Sequence, residues 1–439
     1  MKRFMIAGTK SGCGKTSVVC GILKAFLNQN MNPVSFKCGC DYIDPMFHRE
    51  IIGIESHNLD SFFCDDNTLK YLFSRNSKGD ISVVEGVMGF YDGINAKASS
   101  YEISQKLDIP VVIVIDCKGM STSIGAVMKG FLEYKKPNNI KGFIFNRLPE
   151  SLKDYVKSLC RELDTEFFGY FPYCRNAVIE SRHLGLSSDT GKICEKLDIL
   201  GNTAEKTIDI SKLASLSDGM DFPEYDYINI KKICSLKIAV ARDKAFSFIY
   251  PDNIDILERL GCEIKYFSPL DDEKLPEDIS GIILSGGYPE LYAEKLSENK
   301  SMLSDIKSAF DKNIPIIAEC GGFMYLHEYI GEYKGVGIIR GKAFRTEKLQ
   351  RFGYINIIAG KNNLLCNKCE SIKAHEFHYW DSTDCGKDFR AVKPSNGKEW
   401  QCIHSGENYY MGFPHIYFYS NTEIAVNFVR KCKEYHEQN

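Results

Sequence analysis

Residues 8–17 of the 439-residue chain read Gly8-Thr9-Lys10-Ser11-Gly12-Cys13-Gly14-Lys15-Thr16-Ser17, small residues leading into a lysine and two hydroxyls. That composition suits the holding of a polyphosphate. Small residues let consecutive backbone N–H groups curl round phosphate oxygens, Lys15 supplies a cation for the outer phosphates, and the Thr16 hydroxyl can ligate Mg²⁺. The apolar run Phe4 to Ala7 ahead of the loop reads as a strand, and Val18 to Leu27 behind it reads as an amphipathic helix that points its positive end at the phosphates. Strand, loop, Lys-Thr and helix thus occur in the order a nucleoside triphosphate site demands. Gly12, Gly14, Lys15, Thr16 and Ser17 are its expected ATP contacts.

A second chemistry is written at Ile314-Pro315-Ile316-Ile317-Ala318-Glu319-Cys320-Gly321-Gly322-Phe323-Met324, an apolar strand running into a helix with a cysteine at the turn. Such an elbow exposes a nucleophile. The helix N-terminus is expected to lower the thiol pKa, and neighbouring N–H groups can stabilise a tetrahedral oxyanion. Gly286-Gly287, at the tip of a neighbouring strand, and Gly321 form the expected oxyanion and ligand pocket. A thiolate needs a base, and of His327, His375, His378, His404 and His415 the last, in Gly412-Phe413-Pro414-His415, is placed to fold back from near the C-terminus. His375-Glu376-Phe377-His378 has the wrong spacing for a zinc protease helix.

Three further groups fall at strand ends. Asp41 and Asp44, in Asp41-Tyr42-Ile43-Asp44-Pro45, can hold Mg²⁺ or orient a substrate, or Asp44-Pro45 can simply start a helix. Glu85 closes the apolar run Ile81 to Glu85, where P-loop enzymes keep a second metal contact. Asp92 lies among glycines, as a substrate contact or as a turn residue. Asp116 and Asn146 end two more apolar runs, and Asn146 is placed to contact a nucleotide base.

The elements that must position these residues alternate. Runs at Phe4–Ala7, Pro33–Lys37, Ile81–Glu85, Val111–Asp116 and Gly142–Asn146 read as strands with amphipathic segments between them, a parallel sheet with helices on both faces. In such sheets ligands bind beyond the carboxyl ends of the strands. A second α/β series starts at Lys237. The expected division is residues 1–232, including a charged linker at about 203–232, and residues 233–439. A net charge of -3 argues against nucleic acid or a membrane surface as the main partner. The longest apolar run is too short to span a bilayer, so a cytoplasmic protein is expected. Its seventeen cysteines are then read as free thiols. Cys366, Cys369, Cys385 and Cys402 are an alternative zinc set, but the second pair lacks the usual Cys-x-x-Cys spacing.

Five residues rather than four separate Gly8 from Gly14-Lys15, and this longer loop resembles that of dethiobiotin synthetase. Lys10 stands where partitioning ATPases carry a second lysine, or is a solvated charge. Over nearly its whole length the chain resembles the cobyrinic acid a,c-diamide synthases. The motifs that carry this are the loop through Thr16, Asp41 to Pro45 with Phe47-His48, Glu85-Gly86-Val87-Met88-Gly89 with Tyr91-Asp92-Gly93, Ala239 to Asp243 with Ala245-Phe246, Gly286 to Glu290, Ala318 to Gly322, and His375 to Tyr379. It departs at Gly39-Cys40, where the family has Gly-Pro, and at His415-Ile416-Tyr417, where a second histidine is usual. The sister cobyric acid synthases carry Glu-Ile-His in place of Glu376-Phe377-His378.

The resemblance implies a dethiobiotin synthetase-like P-loop domain followed by a class I glutamine amidotransferase-like α/β domain. It implies ATP, Mg²⁺, L-glutamine and cobyrinic acid or a related tetrapyrrole as ligands, and it leaves a homodimer open. Cys320 and His415 would release ammonia from glutamine, with the third triad role unassigned because Tyr417 stands where an acid is common. Lys15, with Mg²⁺ on Thr16, Asp41 and Glu85, would support carboxylate phosphorylation, and Tyr42, Asp44 and Asp92 would orient the a and c acetates. A sheltered passage for ammonia is expected. The rivals are amidation of nickel-sirohydrochlorin and a P-loop switch with a partner-binding second domain.

Overall fold

The computed structural model describes residues 1–94, 98–174 and 190–438. They divide into two compact units, Met1–Ile228 and Asn229–Asn439.

In the first unit the chain runs β1 (Arg3–Gly8), α1 (Lys15–Asn28), β2 (Pro33–Cys38), α2 (Ile43–Phe47), β3 (Ser56–Leu59), α3 (Asp66–Asn76), β4 (Ile81–Glu85), α4 (Ser100–Lys106), β5 (Val111–Asp116), α5 (Ser123–Glu133), β6 (Ile140–Asn146), α6 (Lys153–Glu162), β7 (Glu166–Phe171), α7 (Thr190–Thr207) and α8 (Ile210–Ala214). The seven strands form one sheet, β3-β2-β4-β1-β5-β6-β7, parallel at every pairing. Strands buried on both faces are continuous apolar runs, which is why β1 and β5 were readable and why every residue of β1 is buried. β1 takes the centre, so the Gly8 to Thr16 loop opens at the middle of the carboxyl edge, between the ends of β4 and β5.

The expected linker starts too early at residue 203. Leu197, Leu200 and Ala204 of α7, then Ile208, Ile210 and Leu213, are buried in the same core as α1. The charges on this stretch mark an amphipathic helix face, not a slack connection. No helix or strand occupies 220–235, yet even here Asp226 donates its N–H to Asn67 Oδ1 (2.6 Å) and Tyr225 hydrogen-bonds Ser74 (2.8 Å).

The second unit continues with β8 (Leu236–Ala241), α9 (Pro251–Leu260), β9 (Cys262–Phe267), β10 (Ile279–Leu284), α10 (Ala293–Glu298), α11 (Lys300–Asp311), β11 (Ile316–Glu319) and α12 (Gly321–Tyr325). After these come β12 (His327–Ile330), β13 (Tyr333–Lys334), β14 (Ile339–Arg345), β15 (Arg351–Ala359), β16 (Ser371–His378), β17 (Trp380–Ser382), β18 (Phe389–Val392), β19 (Glu399–Cys402), β20 (His404–Ser405), β21 (Tyr409–Gly412), β22 (His415–Ile416) and α13 (Thr422–Gln438). The main sheet, β20-β21-β11-β10-β8-β9, is parallel apart from the β20–β21 pair. The stretch from β12 to β19, which the apolar pattern left unread, forms a four-stranded sheet, β13-β12-β14-β17, and a five-stranded sheet, β19-β18-β15-β16-β22. The second of these pairs His375 with His415, tying the excursion to the end of the chain.

All seventeen cysteines are free. Among the described residues no helix is long and apolar enough to cross a membrane, and no group of three or more His, Cys, Asp or Glu side chains is assembled to hold a metal ion.

α7 approaches α1 closely at Gly21, where an added Cβ would stand 2.9 Å from the Leu200 carbonyl oxygen and 3.0 Å from Phe171. Gly21→Leu is expected to force α7 off α1 and destabilise the first unit by about 1–3 kcal/mol. A urea titration of the full chain checks this, with an earlier midpoint for the first unit as the expected result.

Candidate active sites

The phosphate loop of the first unit is shaped by backbone conformation. Gly12 (φ 71°) and Gly14 (φ 91°) take the left-handed region, which a residue with a Cβ enters only at a cost, and Gly14 hands the chain to α1. Lys15 is the first residue of α1 and is buried, with its ammonium donating to the carbonyls of Met88 and, at 3.4 Å, Lys10. Burial pulls its pKa below the usual lysine value. Lys10 itself is exposed, as a solvated charge would be. Asn146 does not reach outward for a base: its amide donates to the Cys13 carbonyl (2.9 Å) and braces the loop from β6. Asp116 pairs with Arg147, whose Nε donates at 2.8 Å.

Beneath the loop lies a buried charge cluster with Lys37 of β2 at its centre. The ammonium of Lys37 donates to Asp44 and to Glu85 Oε1 (2.8 Å) and stands 4.0 Å from Asp41. Burial alone would depress this lysine, but the carboxylates of Asp44, Glu85 and Asp41 outweigh it and hold Lys37 well above its ordinary value. The same exchange acts on Asp44: burial works upward, and Lys37 brings it below the usual aspartate value. Glu85, fully buried and near Asp44, is pushed up to about 7. Its Oε1 also accepts from the Thr16 hydroxyl (2.8 Å). On the far side, buried His48 accepts from or donates to Ser35 (2.8 Å), lies 4.0 Å from Glu85 Oε2, and is pushed down to about 4 by burial.

Of the three groups expected to hold a metal, Thr16 and Glu85 are therefore adjacent, while Asp41 reaches them only across the Lys37 ammonium. Asp41 Oδ1 instead accepts the N–H groups of Ile43 (2.8 Å) and Asp44 (3.3 Å). This corrects the helix-start reading of Asp44-Pro45: α2 begins at Ile43 with Tyr42 at its N-cap, Asp41 accepts its first N–H groups, and Asp44 inside the helix meets Lys37. Tyr42 is buried beside them. Asp92 is exposed and closes its own turn by accepting from Gly89 N–H (2.8 Å). Ser17 follows Thr16 on α1.

In the second unit Cys320 stands between β11 and α12 at φ 48°, ψ −102°, a conformation strained for any residue with a side chain. Its N–H is anchored to the Gly412 carbonyl of β21 (2.8 Å). The elbow is packed backbone to backbone. A Cβ on Gly321 would meet Pro289 (2.8 Å) and Gly287 N (2.9 Å), so the Gly286-Gly287 tip and the start of α12 are brought together as expected. His415 lies over Gly286, where an added Cβ would stand 2.5 Å from its Cε1. His415 also stacks on His375 with ring centres 4.9 Å apart, and burial holds His375 well below the usual histidine value. His378 stacks on Phe413 at 4.0 Å.

One expectation fails here. The thiol of Cys320 is not lowered by the helix start: burial, then Glu290 and Glu376, push it well above its ordinary value, and α12 is only five residues long. Of the alternative zinc set, Cys366 lies beside Asn363 and Cys385 beside Asp381, and no group of three or more ligand side chains is assembled there among the described residues.

Two families of domain match. A CobQ/CobB/MinD/ParA nucleotide binding domain covers residues 4–185, and a CobB/CobQ-like glutamine amidotransferase domain covers residues 237–422. The cobyrinate a,c-diamide synthase of Caldanaerobacter subterraneus subsp. tengcongensis is 39% identical over 450 residues, 98% of either chain. The enzyme of that name from Clostridium tetani is 40% identical, over 98% of this chain and 100% of its own. The one from Methanococcus maripaludis strain C5 is 41% identical, over 91% and 92%.

Two outcomes are expected. Lys37→Met leaves Asp44 and Glu85 without their cation and should destabilise the first unit by about 3–5 kcal/mol, read from denaturant unfolding. Cys320 should be alkylated slowly by iodoacetamide when no ligand is bound, with no inflection up to about pH 9, since its thiol is held above the ordinary range near 8.5; peptide mapping separates it from the other cysteines.

Proposed function

Because this chain belongs to the cobyrinate a,c-diamide synthase family, we infer that it makes two amides on cobyrinic acid, at the a and c acetate side chains, from ATP and glutamine. It is a glutamine-dependent amidoligase of cobalamin biosynthesis that uses ATP. The observation that carries the assignment of roles is the strained Cys320 elbow, set against Gly287 and Gly321, in a chain that also holds a complete phosphate loop.

In the second unit His415 takes the Cys320 proton as the sulfur attacks the side-chain amide carbon of glutamine. An S–C bond forms, and N–H groups near Gly287 and Gly321 receive the charge on oxygen. The C–N bond then breaks, the proton returns to the leaving nitrogen as ammonia, and water releases glutamate from the thioester. The high thiol pKa makes that base necessary, because little thiolate stands ready at neutral pH.

In the first unit a substrate carboxylate attacks the γ-phosphorus of ATP to give an acyl phosphate and ADP. Ammonia displaces phosphate from the acyl carbon and forms the amide. Lys15 and the loop N–H groups bind the phosphates, and the Lys37 ammonium holds Glu85 and Asp44 in place. The Thr16 hydroxyl and the Glu85 carboxylate, 2.8 Å apart at Oε1, are the pair that would hold a divalent cation. Mg²⁺ held there would neutralise charge on the outer phosphates. Tyr42, Asp44 and Asp92 are assigned to the corrinoid on the resemblance alone; Asp44 would have to share its carboxylate with Lys37.

Cys320→Ala should abolish amidation with glutamine, by at least ~10³-fold, and leave amidation with ammonium intact. Lys15→Ala should abolish both. Mass spectrometry of cobyrinic acid turned over with Mg-ATP reads the outcome, two carboxyl-to-amide conversions. Conversion of nickel-sirohydrochlorin instead would move the substrate and keep the chemistry.

A further inference from the structure

The acid that orients a catalytic histidine is commonly found two residues after it, and here that position is Tyr417, whose hydroxyl donates to Asp252 (2.8 Å). The phenol is committed away from His415. A carboxylate meets His415 from another direction. Glu319, the residue before the nucleophile and the last of β11, places Oε2 3.5 Å from His415 Nδ1. Its Oε1 accepts the N–H of Ile416, the residue after the histidine, at 3.0 Å in a buried bond. Glu319 is 8% exposed and His415 3%, so the pair is shielded from screening by solvent.

From this geometry we propose that Glu319 is the positioning residue of the glutaminase site, filling the third triad role through His415 Nδ1. The proposal rests on the Cys320–His415 reading above. One carboxylate thus accepts the backbone N–H beside the histidine with Oε1 and faces the ring nitrogen with Oε2 at 3.5 Å. With Nδ1–H directed at Oε2, the neutral tautomer leaves Nε2 unprotonated and able to accept the thiol proton. The negative charge then stabilises the imidazolium that forms. The stacked His375 cannot supply this, because burial and the neighbouring His415 keep it neutral. Because β11 carries both Glu319 and the turn to Cys320, one strand end delivers the acid and the nucleophile together, and β21, whose Gly412 carbonyl holds Cys320 N–H, leads within three residues to the base.

The arrangement makes a distinctive test available. Glu319→Gln keeps an oxygen for the Ile416 N–H and removes the charge facing Nδ1. Glutamine-dependent turnover should fall by ~10²–10⁴-fold in kcat, with KM for glutamine changed by less than about 3-fold. Amidation supported by ammonium does not pass through Cys320 and reports on the fold in the same preparation. In a His415→Ala background, adding Glu319→Gln should change the residual glutamine-dependent rate by less than about 3-fold, because a residue acting through His415 has nothing left to act on. Losses that multiply in the double variant would overturn the proposal, as would a Glu319→Gln enzyme within about 3-fold of the original. An equal loss with glutamine and ammonium would assign Glu319 to the fold and also overturn it. Cys320→Ala run alongside separates the two levels: full glutamine-dependent activity in that variant defeats the underlying glutaminase reading, whereas its loss beside an unimpaired Glu319→Gln enzyme defeats only the present proposal.

Discussion

A positive charge that cannot leave organises the first unit. Lys37 is buried on the second strand of a sheet that excludes water on both faces, so its ammonium must be compensated by protein groups, and Asp44 and Glu85 do this. The consequences reach both ways from that point. Glu85 is held against Thr16, which fixes the start of the first helix relative to the end of β4. Asp44 is held in the first turn of α2, whose first N–H groups Asp41 accepts. The arrangement is costly in itself, since the Asp44 and Glu85 carboxylates and the Lys37 ammonium are taken from water to build it, and it is tolerable only because the two acids face that one cation. The site gains position by it: Thr16 and Glu85 are fixed relative to one another and need no reorganisation when a ligand arrives.

The second unit meets the opposite problem. It must make a nucleophile from a thiol that burial and two glutamates keep protonated. A cysteine with a raised pKa is inert to casual oxidation and becomes reactive only when a base is aimed at it, so the geometry around His415 carries the chemistry. That geometry comes from strand ends. β11 ends in Glu319-Cys320, β21 ends in Gly412, β10 leads to Gly286-Gly287, and β16 aligns His375 with His415. Glycine at 286, 287, 321 and 322 lets these backbones close on one another where any side chain would intrude.

Much of this was legible in the residues. Continuous apolar runs ending in polar side chains identified β1, β4, β5 and β6 and placed the loop and Glu85 at the carboxyl edge, because a parallel sheet buried on both faces leaves no other pattern. The short edge strand β3 and the strand β7 were missed, as were all the strands from β12 to β19, whose alternation is broken by charged and aromatic residues on exposed faces. Lys37 was passed over because nothing in a local stretch shows that carboxylates 7 and 48 residues away will converge on it. A lysine inside a run whose every residue is buried was the available signal. Glu319 stands in the sequence as one residue of the elbow motif, and its partner lies 97 residues downstream. Asn146 reads as a base contact but braces the Cys13 carbonyl of the phosphate loop, and of the two readings of Asp92, substrate contact or turn residue, the structure shows the turn. Short polar side chains beside turns satisfy backbone groups first, which pattern alone does not distinguish from ligand binding.

The central claim is that nitrogen from glutamine and oxygen from the substrate carboxylate change places through a phosphorylated carboxyl group. Cobyrinic acid labelled with ¹⁸O in its carboxylates, turned over with amide-¹⁵N glutamine and Mg-ATP in a buffer with no added ammonium, tests it directly. The account predicts two ¹⁵N amides per product molecule and one ¹⁸O transferred to inorganic phosphate for each amide formed. Label appearing in AMP, or amides that carry unlabelled nitrogen, would contradict it.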